Sequence, residues 1–416
     1  MPSRVRTNRG SPAASRRRAS AALTADWLSD RRRAAFDTLR SSHNARKTVA
    51  RLKSRRDIST VVILIIQTIN LPDMGRKSTL LLSPTVTIIM RDPDMSQRRV
   101  AVIQAGTTLF DTPRTLDRME ALCEAAAAQG VELAVFPEAY IGGYPKGLSF
   151  GAVLGSRFPE GREDYLRYWK SAITVPGPET ARIGGFAAKM KAHLVVGVIE
   201  REGATLYCTA LFFGPDGALL GKHRKLMPTG TERLVWGQGD GSTLPVFETD
   251  IGRIGAAICW ENYMPALRQS LYAQGISLWC APTVDERAIW QVSMRHIAYE
   301  GRTFVLSACQ YMTRADAPEQ YHCHQGNNPD TVLIRGGSVI VDPFGEIIAG
   351  PVYDREAILT ADIDLDDVIR GKYDLDVAGH YARPDVFSLR VNDAPQRPVA
   401  FTGPDCAPQG RDEEGE

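Results

Sequence analysis

The sequence predicts a mixed α/β domain of two sheets packed face to face and covered by helices. Three observations predict it. Strand–helix–strand units recur from Arg99 onward, and hairpins with strong turn residues interrupt them. The count reaches roughly ten or more strands, too many for one comfortable open sheet.

Taken in order, residues 100–104 (VAVIQ) read as a short buried strand. Thr112 is expected to cap the following helix, with Pro113 at its first position. Leu116, Met119, Leu122 and Cys123 then recur at helical spacing, and Gly130 stops the helix. Residues 131–136 form the next strand. A helix over 180–191 precedes a strand over 193–199, and one over 265–273 precedes a strand over 276–281. Another over 285–300 precedes a strand over 303–308. Between these, strands over 206–213 and 218–222 flank Gly214-Pro215-Asp216-Gly217, a hairpin turn. Strands over 338–341 and 346–349 flank Asp342-Pro343-Phe344-Gly345 likewise, and 357–363 adds one more. Beyond Leu365 the chain reads as polar, irregular and surface-crossing.

Composition divides the chain near Met95. Residues 1–94 carry 19 Lys and Arg against 7 Asp and no Glu, +12 within a chain of net +2, which leaves −10 for the remainder. The three expected segments are a basic leader at 1–94, a main domain at 95–381 and an irregular tail at 382–416. The leader reads as a disordered basic tail, whether its origin is an organellar transit peptide or an extension upstream of a start at Met95. A chain begun at Met95 is expected to fold and be active. The acidic remainder argues against a nucleic-acid partner. The longest apolar runs, 61–66 and 79–90, fall far short of a membrane span. The 7 cysteines are scattered and form no C-x-x-C pair, which suits a reducing, cytoplasmic setting and gives no support to a structural zinc site.

Three strand ends carry chemistry. Val135-Phe136-Pro137-Glu138 puts a carboxylate where open α/β sheets place their ligands. Gly221-Lys222-His223-Arg224-Lys225 puts a cationic run after a strand, and the run 254–258 delivers Cys259 into the polar turn Trp260-Glu261-Asn262. Each alone has a plain alternative: a capping acid, a solvated basic face, a small buried hydrophobe. Together they have a coherent chemistry, in which a lysine beside a thiol favours thiolate, a buried carboxylate serves as general base, and the ammonium stabilises a tetrahedral intermediate.

FPEAYIGGYPKG, GKHRKLMPTGTERLVWGQGDGS and GAAICWENYMP resemble the three motif blocks of the nitrilase superfamily, in its nitrilase branch. The resemblance runs from about Val100 to about Tyr381, with VPGPE, GVIEREG and LYCTALFF in matching order. It implies a four-layer αββα sandwich whose members pair and often build larger spirals. It also implies a Glu–Lys–Cys triad at Glu138, Lys225 and Cys259 and a second glutamate at Glu232. Tyr144, Trp260 and Glu261 are candidate substrate-binding residues beside these blocks. The implied activity is hydrolysis of an organic nitrile to acid and ammonia, without cofactor or metal. An amidase or carbamoylase with the same triad, and a non-catalytic binding protein on the same scaffold, are the alternatives.

Other features read more simply. His322-Cys323-His324 lies in a polar loop, and adjacent residues do not easily ligate one ion. His223 and His296 lack an orienting acid at a recognisable spacing for a Cys–His hydrolase, and the glycines match no phosphate loop.

Overall fold

The computed structural model describes residues 96–396 and 399. The leader expected at 1–94, the acidic end and Cys406 lie outside the described residues. In chain order the elements are β1 (Gln97–Gln104), α1 (Thr112–Ala127), β2 (Leu133–Val135), a small hairpin of β3 (Ala152–Val153) and β4 (Ser156–Arg157), α2 (Pro159–Ser171), α3 (Pro178–Met190), β5 (His193–Glu202), β6 (Thr205–Phe213) and β7 (Leu219–Arg224). There follow β8 (Val246–Thr249), β9 (Gly252–Ala256), α4 (Pro265–Ala273), β10 (Leu278–Cys280), α5 (Ala288–Gly301), β11 (Phe304–Ser307), β12 (Tyr311–Thr313), β13 (Val332–Val341), β14 (Ile347–Tyr353), β15 (Ala357–Asp364) and α6 (Asp366–Lys372).

One sheet has six strands in the order β15-β1-β2-β5-β6-β7. The other has seven, β12-β13-β11-β10-β9-β8, with β14 also paired to β13. Both share an inner plan of three parallel strands, β1-β2-β5 and β9-β10-β11, whose connections run through helices. Antiparallel strands flank each triplet. Parallel strands need such crossovers, and the helices bury the outer sheet faces, so the inner strands are apolar on both sides.

Alternation along these strands sorts the core into layers. Val100 and Val102 of β1 and Leu133 and Val135 of β2 meet Ile254, Leu278, Cys280 and Leu306 of the opposite sheet. Their neighbours Ala101, Ile103 and Ala134 pack on Leu116 and Met119 of α1 and on Ile183 and Phe186 of α3. Trp279 and Val305 pack on Leu271 of α4 and on Trp290 and Met294 of α5. The chain is therefore a four-layer αββα sandwich, as the sequence predicts. Each fully buried large side chain contributes about 1.5–3 kcal/mol. At the end of β1, buried Gln104 ties the sheets together: its amide N–H donates to the carbonyls of Val352 (3.0 Å) and Arg355 (2.8 Å), and its Oε1 accepts from the amides of Gly337 and Ser338 (both 2.9 Å).

Some local expectations change. The cap of α1 is Asp111, whose carboxylate accepts from Arg114 N at 3.0 Å; the Thr112 hydroxyl instead donates to Ser171 O at 2.5 Å. An anionic acceptor one residue earlier suits a helix N-terminus better than a neutral hydroxyl. The helix α2 falls in a stretch to which the sequence assigns no element, and α6 begins just after Leu365, where irregular chain is expected. Residues 382–396 contain no helix or strand, and Gln396 N donates to Asp240 Oδ2 at 2.7 Å.

Candidate active site

The exits of β2, β7 and β9 meet. After β2, Phe136 N still bonds Val195 O (2.8 Å), and Pro137 then delivers a fully buried Glu138. Gly197 of β5 lies directly against this exit. A Cβ there would stand 2.1 Å from Pro137 O and 2.7 Å from Glu138 Cα, so only glycine lets the chain settle so closely. Gln310, reaching across from the other sheet, donates to the carbonyl of Glu138 at 2.7 Å.

Lys225 follows β7 immediately, its amide still bonded to Cys208 O on β6 (2.8 Å). Its ammonium is buried and donates to Glu138 Oε1 at 2.7 Å and to Glu232 Oε2 at 2.8 Å. Glu232 sits in the 3₁₀ turn Gly230–Leu234. Its Oε2 also accepts from Thr229 N (2.6 Å), and its Oε1 from the Tyr144 hydroxyl (2.8 Å).

Cys259 comes from the second sheet. It opens the 3₁₀ turn Cys259–Tyr263 at φ 51°, the left-handed region that non-glycine residues rarely adopt. Cys259 N donates to Pro282 O at 2.9 Å, and the Thr283 hydroxyl donates to Cys259 Sγ at 3.3 Å. Asn262 braces the turn from within, donating to the carbonyls of Ala257 and Cys259 (both 2.8 Å) and accepting from Trp279 Nε1 (2.8 Å). Thr283, Asn262 and Gln310 were not legible as site residues; only the adjacency of Asn262 to Cys259 offered a signal.

The structure thus brings Glu138, Lys225, Glu232, Cys259 and Tyr144 together. Tyr144 also lies edge-on to Trp236, centroids 5.7 Å apart. Trp260 is 42% exposed beside Cys259, its indole N–H bonded to Asp285 Oδ2 (2.9 Å) and its ring under the Arg287 guanidinium (4.9 Å). Glu261 behaves otherwise than expected. It is buried, and both its oxygens are taken by backbone amides and His223, so no acceptor faces a substrate. His223 is likewise enclosed, its two ring nitrogens taken by Glu261 and the Thr243 carbonyl. Cys323 bonds Gln325 Oε1 (2.7 Å), and among the described residues no cluster of His, Cys, Asp or Glu could hold a metal ion.

Electrostatics set the resting protonation state. Burial raises the Glu138 carboxyl above the usual carboxylate range, against the opposing pull of Lys225. Burial also works against the charge on Lys225, but the anionic groups led by Glu138 outweigh it and hold the ammonium well above its ordinary value. For Cys259, burial and Glu138 push the thiol up, and Lys225 and the Thr283 bond do not offset them. The balance of burial, Glu138 and Glu232 against Lys225 and the Thr283 bond thus favours the thiol over the thiolate expected from the sequence. Nucleophilic attack therefore needs a proton acceptor alongside, and Glu138 Oε2 is buried with no hydrogen-bond partner.

A thiol presented at a sandwich edge beside a buried carboxylate and a buried ammonium defines a class of protein equipped for attack on an electrophilic carbon. Residues 99–373 match the carbon-nitrogen hydrolase family, and the chain belongs to that family, in the nitrilase branch of the nitrilase superfamily. It is 57% identical to a nitrilase from Bradyrhizobium diazoefficiens over 302 residues, 73% of this chain and 94% of that protein. It is 55% identical to an aliphatic nitrilase from Sinorhizobium fredii (73% and 99% covered) and 55% identical to a bifunctional nitrilase/nitrile hydratase from Lupinus angustifolius (73% and 88% covered). The fold is similar to that of the C. elegans NitFhit protein, with a TM-score of 0.57 at 20% identity over 73% of this chain and 69% of that one.

Proposed function

We propose that the chain is a nitrilase that converts an organic nitrile and two waters to a carboxylic acid and ammonia. The observation that supports this most is the convergence of Glu138, Lys225 and Cys259 in a chain more than half identical to several nitrilases. Glu138 Oε2 takes the thiol proton as Cys259 Sγ bonds the nitrile carbon, and passes it to the nitrogen, giving a thioimidate. Glu138 then deprotonates a water that adds to the same carbon, and returns the proton to nitrogen. As the new hydroxyl then loses its proton through Glu138 to the nitrogen, the C–N bond breaks, ammonia leaves, and a thioester C=O remains. A second water, activated in the same way, displaces the sulfur and releases the acid. Lys225 Nζ carries three donors, and two are spent on Glu138 and Glu232. The third is free to stabilise charge on the substrate nitrogen or oxygen.

Purified protein incubated with aliphatic, aromatic and arylacetic nitriles, cyanoamino acids and cyanide is expected to release ammonia and acid from at least one of them. Silence across that panel in folded protein would sink the reading.

The acid limb of kcat/KM is expected to lie above about 4.3, the ordinary carboxylate pKa. The sign follows from the base: Glu138 must be ionised to work, and its pKa is raised, so activity falls as pH drops through that raised value. A pH–rate profile checks this, and Glu138→Gln should remove the activity that carries the limb.

A second expectation concerns products. The tetrahedral carbon carries both nitrogen and Cys259 sulfur, so loss of ammonia leads to acid and loss of thiolate to amide. Glu138 and Glu232 together favour a protonated, departing nitrogen. Glu232→Gln removes one of those charges and should raise the amide fraction of the surviving turnover; chromatography of products reads it, and an unchanged fraction counts against the electrostatic account.

We further infer self-association into dimers and larger assemblies, supported by Ile289, Val292 and Tyr299, exposed at 54%, 61% and 50% along α5. A cytoplasmic setting is supported by the free cysteines among the described residues, and no described helix is long and apolar enough to cross a membrane.

A further inference from the structure

One buried carboxylate stands between the two sheets' contributions to the site. Glu261 Oε1 accepts from the backbone amide of Leu226 (2.5 Å), the residue directly after Lys225. Glu261 Oε2 accepts from the backbone amide of Ile258 (2.8 Å), the residue directly before Cys259. The same Oε2 receives His223 Nε2 at 2.9 Å, and His223 lies on β7 two residues before Lys225. Each side chain is at most 1% exposed.

The hydrogen-bond inventory fixes the charge of this pair. His223 Nε2 faces a carboxylate, and its Nδ1 faces the carbonyl of Thr243 at 2.5 Å. Both are acceptors. A neutral ring has one N–H and would leave one contact lone pair to lone pair, whereas a doubly protonated ring satisfies both. Burial works against that charge, but Glu261 outweighs it and raises the His223 pKa.

We propose that Glu261 and His223 form a positioning clamp that sets the spacing between Lys225 and Cys259 without touching substrate. Neither backbone amide has freedom to move while one carboxylate holds both. The Cys259 backbone is in a left-handed conformation that its surroundings must enforce, and the Ile258 amide bond is one of those restraints. His223 donates to the same Oε2 as the Ile258 amide while Leu226 donates to Oε1, so one side chain gathers three donors from the two sheets. An amide in place of Glu261 has one oxygen and one NH2, so at least one of the three donors must then face a donor.

The inference rests on the reading of Lys225 and Cys259 as catalytic, and Cys259→Ala tests that reading separately. The clamp is tested by steady-state kinetics together with the rate of Cys259 alkylation by iodoacetamide, followed by mass spectrometry of the Cys259 peptide. Glu261→Gln is expected to keep the native circular dichroism spectrum and lower kcat by about 100-fold, with KM within about threefold, the signature of misplaced groups and not of lost substrate binding. Alkylation of Cys259 should change in the same variant. His223→Gln retains a donor to Glu261 and should lose less kcat than His223→Ala, a rescue that volume alone does not give. Folded Glu261→Gln with wild-type kcat, or with a defect in KM alone, overturns the proposal. Should Glu261→Gln fail to fold, the histidine pair decides: wild-type kcat in both, or equal losses in both, overturns it as well.

Discussion

Cys259→Ala is expected to lower nitrile turnover by roughly 10⁴-fold or more, because it removes the thiol assigned to the covalent intermediate. The fold should survive. The side chain is small, and within the structure its sulfur makes one hydrogen bond, from Thr283. Its removal should cost no more than about 1 kcal/mol, which a thermal melt can read. Cys280→Ala and Cys309→Ser should keep turnover, since these thiols are fully buried and Cys280 belongs to the core between the sheets. Ammonia release surviving in Cys259→Ala would end the assignment of the nucleophile.

Lys225→Met is expected to remove activity and also to destabilise the protein by about 3–5 kcal/mol at neutral pH. The reason is geometric. Lys225 is the shared cation of Glu138 and Glu232, whose side chains are 0% and 10% exposed. Without it, buried negative charge is left uncompensated, and the relief open to it is protonation. In the variant the Glu138 carboxyl, already raised by burial, rises further above its unfolded value, so the folded state binds more protons than the unfolded one. Stability therefore falls as pH rises above the unfolded value of about 4.3, and the deficit shrinks in acid. Adding Glu138→Gln should recover part of the loss, because it removes one of the stranded charges. Denaturant melts of the single and double variants at two pH values read both effects; equal stability across pH would show that the pair carries no such burden.

Much of this was legible because strand exits are punctuated. Phe136-Pro137-Glu138 marks the end of a strand by a proline, and Cys259-Trp260-Glu261-Asn262 marks one by a change to polar residues. The alternating contributions of β1 and β2 to two different cores follow from the same period of two. Sheet order was not legible. The partner of β1 on one side is β15, with Val100 opposite Ala361, and nothing local to either strand encodes that distance in sequence. Glu261 was misread for a related reason. Its position beside Cys259 suggested substrate contact, but its oxygens are bonded by Leu226, Ile258 and His223, and Leu226 and His223 come near only in the folded chain. The thiol was misjudged because the sequence shows a lysine near a cysteine but not the depth at which both are buried.

The candidate groups are drawn from both halves of the sandwich: Glu138, Lys225 and Glu232 from the first sheet and its loops, Cys259 from the second. Neither half is a smaller enzyme. During folding the constellation does not exist until the two sheets have docked, even if each has already paired its own strands. Recovered turnover after dilution from denaturant therefore reports the docking of the halves and not the formation of secondary structure, and it should trail the far-ultraviolet signal. The same division means that a substitution loosening the shared interior, far from any reacting atom, acts on catalysis by separating the nucleophile from its base.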